Sequence, residues 1–144
     1  MILLDTNVIS ELFRPSPDTA VRKFLRDLPA EELFTSAVCE AEIRYGLARM
    51  PSGRRRADLT TRAMSFLNEA FPDRIVPFDS ACAAVYGEIR ASREAVGRPI
   101  TIEDAMIAAT VRARGATLAT RNITDFEGTG IEAVNPWNLP EKEG

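Results

Sequence analysis

Residues 1–12 read MILLDTNVISEL. An apolar run goes straight into a carboxylate at Asp5, followed by Thr6 and Asn7, before apolar residues resume at Val8. Taken alone, the run reads as a buried strand, and Asp5 as the N-cap of a helix through TNVISELF. What the acid does at the strand's end depends on what the rest of the chain brings to that place.

Further short apolar runs lie at 32–37 (ELFTSA), 74–78 (RIVPF), 117–120 (TLAT) and 131–134 (IEAV), with stretches of helical period between them. Asp18 precedes an amphipathic run through Val21, Phe24, Leu25 and Leu28, and Ser36 opens another that reaches Met50. Pro51-Ser52-Gly53 breaks that run before a helix through Leu59, Ala63, Phe66, Leu67 and Ala70. Asp79 caps a helix with Cys82, Val85, Tyr86 and Ile89 that Gly97 ends, and Thr101 opens a last one that Gly115 closes. Strands alternating with helices predict an α/β domain, a mainly parallel sheet of four or five strands flanked by helices, with right-handed crossovers. The 144 residues suit one domain, placed at 1–138, with a short polar tail at 139–144.

Composition removes several kinds of chemistry. The chain has no histidine and only two cysteines, Cys39 and Cys82. It therefore lacks an imidazole base, a Ser-His or Cys-His nucleophile and an ordinary zinc site, and both cysteines read as buried thiols. Catalysis must come from carboxylates. All basic residues but Lys23 and Lys142 are arginine, and the net charge of -3 gives no overall attraction to nucleic acid. No basic leader precedes the first apolar run and no segment approaches the ~18 apolar residues of a membrane span, so a cytoplasmic protein without membrane attachment is expected.

In a parallel sheet, ligands bind beyond the carboxyl ends of the strands, where the following helices begin. Asp5 sits at that end of the first strand, and Thr120, Arg121, Asn122 and Asp125 follow the strand at TLAT. The first turn of the helix at Thr101 adds Glu103 and Asp104. At 100° per residue, Asp104 shares the face of Ile107, Ala108 and Val111, whereas Glu103 lies near Thr110 and Arg114 on a face that reads as solvated. In the Ser36 helix, Glu40 and Glu42 both border an apolar stripe of Cys39, Ile43, Gly46 and Met50. Glu42, with Val38 and Tyr45 on its far side, reads as the enclosed acid, and Glu40 borders Arg44. Six residues past Ser36 is roughly 9 Å along a helix axis, so Glu42 reaches the edge only if that helix is tilted or starts later.

Each acid has a structural role available: a cap at Asp5, a capping box at Thr101 and Asp104, a stripe margin at Glu42, a turn start at Asp125. Together they are costly, since two carboxylates 4 Å apart repel by about 4 kcal/mol at an effective dielectric near 20. Hard oxygen ligands without histidine or thiolate point to Mg²⁺ or Mn²⁺, ions that hold phosphate oxygens and acidify water.

The ordered set LLDTNVISEL, SAVCEAEIRYG, PITIEDAMIAAT and TLATRN…F, with NPW near the end, resembles PIN-domain ribonucleases, specifically toxins of the VapC and FitB types. The resemblance implies a PIN-like three-layer domain and places the family's most dependable acids on Asp5, Glu42 and Asp104. Its fourth acid, often directly after TR, falls on Asn122, with Asp125 three residues on. Thr6, Asn7, Thr120 and Arg121 would be supporting groups. The resemblance further implies a metal-dependent endoribonuclease that leaves a 5′-phosphate and a 3′-hydroxyl. Its partners would be an RNA substrate, a second copy of the chain and a cognate antitoxin, with operator DNA bound only through the antitoxin complex.

Basic residues near the acids would help hold RNA, and SGRRRAD supplies Arg54, Arg55 and Arg56, which also suit a solvated helix start. Ile9, Leu12 and Phe13 suit either core or interface. Haloacid-dehalogenase-like phosphatases also begin with a strand ending in Asp, yet need a second Asp two residues on, where Asn7 stands. Phosphoacceptor receiver domains need a lysine after a later strand, and TLATRNITDF has none. The remaining alternative is a non-catalytic PIN-like module that binds RNA or protein and uses its acids as caps.

Overall fold

The computed structural model describes residues 1–139. Of the tail placed at 139–144, all but Leu139 lies outside the described residues. The chain runs β1 (Ile2–Leu4), α1 (Thr6–Glu11), α2 (Thr19–Arg26), β2 (Leu33–Ser36), α3 (Ala37–Ala48), α4 (Arg54–Ala70), β3 (Ile75–Val76), α5 (Ser80–Ala95), α6 (Ile102–Arg114), β4 (Thr117–Ala119) and β5 (Glu132–Val134). Each expected strand is present, shortened by a residue or more.

Side chains on the rigid backbone set these boundaries. Asp18 accepts from the Ala20 and Val21 amides, Ser36 from Cys39, Asp79 from Cys82 and Thr101 from Asp104, satisfying donors that a helix start leaves open. Gly115 closes α6 at φ +62°, the left-handed region that glycine enters without penalty.

All five strands are parallel, in the order β3-β2-β1-β4-β5. Alternation along each strand sends Leu3, Phe34, Val76, Leu118 and Ala133 to one face, where residues of α5 and α6 cover them. Leu4, Leu33, Ile75, Ala119 and Val134 face a second core built with α1, α2 and α4. The result is the three-layer arrangement that the resemblance implies. From β1 the chain moves outward to β2 and β3, then crosses to β4 on the other side of β1. The strand order thus reverses between β1 and β4, the place where open α/β sheets leave a crevice.

Helix α3 belongs to both layers. Cys39 in its first turn joins the α5–α6 core, whereas Ile43 and Leu47 join the other. It therefore crosses the carboxyl edge of the sheet and packs against α1. Its buried line is Cys39, Ile43 and Leu47; Gly46, placed on the stripe by sequence, is exposed. Ile9 is buried and Phe13 meets Phe66 edge to face at 5.5 Å, so this face of α1 is core. Arg54 and Arg55 are exposed at the start of α4, and Arg56 bonds back to the Met50 carbonyl. No helix among the described residues is long and apolar enough to cross a membrane.

Candidate active site at the carboxyl edge

Parallel pairing of Leu4 with Ala119 brings the next residues, Asp5 and Thr120, side by side at the reversal point. Asp5 is both N-cap and the end of its strand. Its amide donates to the Ala119 carbonyl at 2.9 Å while its carboxylate accepts from the Thr6 amide at 2.8 Å. Thr120 Oγ1 donates to Asp5 Oδ2 at 2.8 Å, Asn7 Nδ2 reaches the same oxygen at 3.4 Å, and Cys39 Sγ lies 3.9 Å from Oδ1. Asn7 Nδ2 also donates to Thr120 Oγ1, and its Oδ1 accepts from the Arg121 amide. Thr6, Asn7 and Thr120, expected as supporting groups, all sit in this network.

Asp5 is only 5% exposed, and burial raises its pKa, with the Thr120 bond the largest opposing effect. Burial and then the Asp5 charge push the Cys39 thiol up to about 11, which keeps the proton on sulfur and sulfur a donor.

Glu42 reaches this place because α3 crosses the sheet edge. Thr6 Oγ1 donates to Glu42 Oε2 at 2.7 Å, while Glu40 is taken up by Arg44 at 2.9 Å. The pKa of Glu42 is raised by burial, then by the charges of Asp5, Asp104 and Glu103, with Thr6 opposing. Asp104, half-buried at the start of α6, is raised by burial and by Asp5, Asp125 and Glu103, with Thr101 opposing. Asp5, Glu42 and Asp104 therefore share one electrostatic neighbourhood.

Two details differ from the sequence reading. Tyr45 does not enclose Glu42: it is 66% exposed, with Arg49 over its ring. Thr110 is fully buried, bonded to the Met106 carbonyl, although Glu103 beside it on the wheel is exposed.

Arg121, Asn122 and Asp125 are exposed just beyond β4. The Arg121 guanidinium stacks over Trp137 at 4.8 Å from the ring centroid, and Trp137 Nε1 donates to the buried Glu11 at 3.4 Å. Sequence reasoning missed Glu11; its signal was the indole of the NPW segment, whose N–H needs an acceptor once the ring packs.

Among the described residues no three His, Cys, Asp or Glu side chains converge as a ready-made metal-binding group. The donor chemistry nonetheless suits Mg²⁺ or Mn²⁺. Three mutually repelling carboxylates stand at one edge, and such ions retain several waters and need only one or two carboxylates.

Comparison with known proteins gives a consistent result. The PIN domain family matches residues 2–130. A protein of Sinorhizobium fredii named VapC ribonuclease Y4jK is 41% identical over 95% of this chain and 98% of its own length. Toxin FitB of Neisseria gonorrhoeae is 39% identical over 96% of this chain and 99% of its own. The solved structure of FitAB bound to the IR36 DNA fragment superimposes with a TM-score of 0.92 at 39% identity, covering 99% of both chains.

Proposed function

Because the chain belongs to the PIN domain family, we propose that it is the endoribonuclease toxin of a toxin–antitoxin pair, dependent on Mg²⁺ or Mn²⁺. The relatives named VapC ribonuclease and Toxin FitB support the activity and the role. The observation that carries the site is the electrostatic coupling of Asp5, Glu42 and Asp104 where the strand order reverses.

Asp5, Glu42 and Asp104 would surround the cation, some holding it directly and the rest through its waters. When bound, it supplies neutralisation of the acids, polarisation of a phosphate oxygen and acidification of water. The chain's own groups prepare the rest. Thr120, Asn7 and the Thr6 amide hold Asp5 in one rotamer, and the Thr6 hydroxyl holds Glu42. Glu42, fixed by the Thr6 hydroxyl, would accept the proton of the attacking water as the phosphodiester is hydrolysed. Arg121, exposed just beyond β4 with its guanidinium over Trp137, would offer positive charge to the RNA backbone.

By the same likeness, the partners are a cognate antitoxin and a second copy of the chain, with operator DNA engaged through the antitoxin complex. The FitAB–DNA complex supports the antitoxin and DNA assignments. Light scattering on the free chain tests the dimer.

The deciding experiment incubates the purified chain with RNA and Mn²⁺ or Mg²⁺ and maps the ends. Internal cleavage with 5′-phosphate ends, lost on chelation and in Asp5→Asn and Asp104→Asn, supports the proposal. Cleavage that survives both substitutions overturns it. RNA binding without any cleavage would favour a non-catalytic PIN-like module.

A further inference from the structure

Arg93, on the last turns of α5, is 6% exposed, yet no carboxylate lies within ion-pair distance of it among the described residues. A buried guanidinium without an anion is costly unless its donors are satisfied. Here carbonyls satisfy it: Nε donates to Arg98 O at 2.7 Å, and Nη1 donates to Asp125 O at 3.0 Å and Glu127 O at 2.9 Å. The Arg98 amide returns a bond to the Arg93 carbonyl at 2.8 Å.

These bonds join two loops. One, at 97–101, ends in Thr101, the cap of α6 whose Oγ1 accepts from the Asp104 amide. The other, at 122–128, carries Asp125. Arg93, Pro99, Ile100, Thr101, Asp104 and Asp125 line one recess of about 130 Å³. Asn122 is not among its walls; its backbone N–H donates to Thr120 Oγ1 at 3.1 Å.

We propose that Arg93 is a positioning residue that clamps Asp125 opposite Asp104, so that Asp125, in place of Asn122, supplies the fourth acidic group of the site. This rests on the reading of Asp5, Glu42 and Asp104 as the cation site. A guanidinium is suited to the task because its planar fork reaches carbonyls on two loops at once, which a lysine ammonium on a single stem cannot reproduce.

The test uses Mn²⁺ alone as probe, measured by titration calorimetry and by the Mn²⁺-induced rise in Tm, with RNA cleavage as a second readout. Mn²⁺ binding by the parent chain that disappears in Asp104→Asn establishes the cation site; a parent chain that does not respond overturns both readings. With the parent responding, Asp125→Asn is expected to weaken Mn²⁺ about tenfold, the scale on which groups that orient ligands act. Asn122→Ala should weaken it less. Arg93→Met and Arg93→Lys should match Asp125→Asn, and Arg93→Met/Asp125→Asn should be no weaker than either single variant, because both remove one arrangement. Unchanged Mn²⁺ affinity in Asp125→Asn, a larger loss in Asn122→Ala, or additive losses in the double variant would overturn the assignment. Because Asp125 and Asn122 are exposed, those two variants decide the matter even if Arg93→Met fails to fold. An Arg93 variant with lower Tm but parental Mn²⁺ affinity would show a merely structural arginine.

Discussion

Thr120 Oγ1 and Asp5 Oδ2, 115 residues apart in sequence, are joined by a buried 2.8 Å hydrogen bond at the adjoining ends of two central strands. The same hydroxyl accepts from Asn7 Nδ2 and from the Asn122 amide, so one small side chain completes the network around the deepest acid. Thr120→Val keeps the shape and removes the hydroxyl. It is expected to lower stability by about 1–3 kcal/mol, the scale for stranding a buried polar group, and to raise the Asp5 pKa further. Thr120→Ser should recover most of both. Denaturant unfolding and carboxyl NMR titration provide the check, and a valine variant as stable as the parent would contradict it.

Asp5, Glu42 and Asp104 all have pKa values raised above their ordinary ones. In that case the folded state binds more protons than the unfolded state in the window just above the ordinary carboxylate range. Their joint contribution to stability therefore falls as pH rises through that window and is recovered on acidification. The metal-free chain should show this as an increase in Tm as pH is lowered from neutral towards 5. A saturating concentration of Mn²⁺ should flatten or reverse the trend, since the ion favours the ionised acids. Calorimetric scans with and without the metal test this, and identical slopes would refute it.

Asp104→Asn should raise the Tm of the metal-free chain by about 1–3 °C, because it removes a charge that burial and three neighbouring acids disfavour. The same substitution should lower RNA cleavage by at least about a hundredfold, equivalent to ~2.7 kcal/mol of barrier. Gain of stability with loss of activity separates a functional acid from a capping one. A variant that is less stable and still active would place Asp104 in the cap alone.

Both cysteines are fully buried and unpaired, and Cys39 holds its proton up to about 11. Since the thiolate is the reactive form, neither should react with a thiol reagent in the native chain at neutral pH. Both should react promptly in denaturant. Measured by disulfide-exchange absorbance, fast native labelling of either cysteine would contradict the packing described.

Trp137 ties the end of the described chain to α1 through Glu11 and stacks beneath Arg121. Trp137→Phe retains most of the ring's packing but leaves Glu11 with Arg14 as its remaining side-chain partner. A loss of about 1 kcal/mol is expected, near 2–4 °C in Tm for a domain of this size. Trp137→Ala should lose more, and thermal scans of the two variants should rank in that order.

The residues explain what could be foreseen. Asp5, Asp18, Ser36, Asp79 and Thr101 announce helix starts because a short oxygen-bearing side chain before an apolar period has a local task, and each performs it. The choice of Glu42 over Glu40 was legible because Arg44, four residues on, claims Glu40. What stayed hidden depends on three-dimensional crossing. A straight helical wheel cannot show that α3 passes from one core to the other, so it misplaced Gly46 and Tyr45 while still selecting Glu42. Arg93 gave no signal because a charged residue is ordinarily solvated, and only the fold reveals which ones find partners inside.

The sheet order has a consequence for biosynthesis. β1 emerges first from the ribosome, but its neighbour on one side ends at Ser36 and its neighbour on the other begins only at Thr117. A nascent chain stopped anywhere before Thr120 lacks the hydroxyl that holds Asp5 and the strand that flanks it. The acidic edge around Asp5 is therefore completed only after β4 and Thr120 have been made, however early the other strands pair.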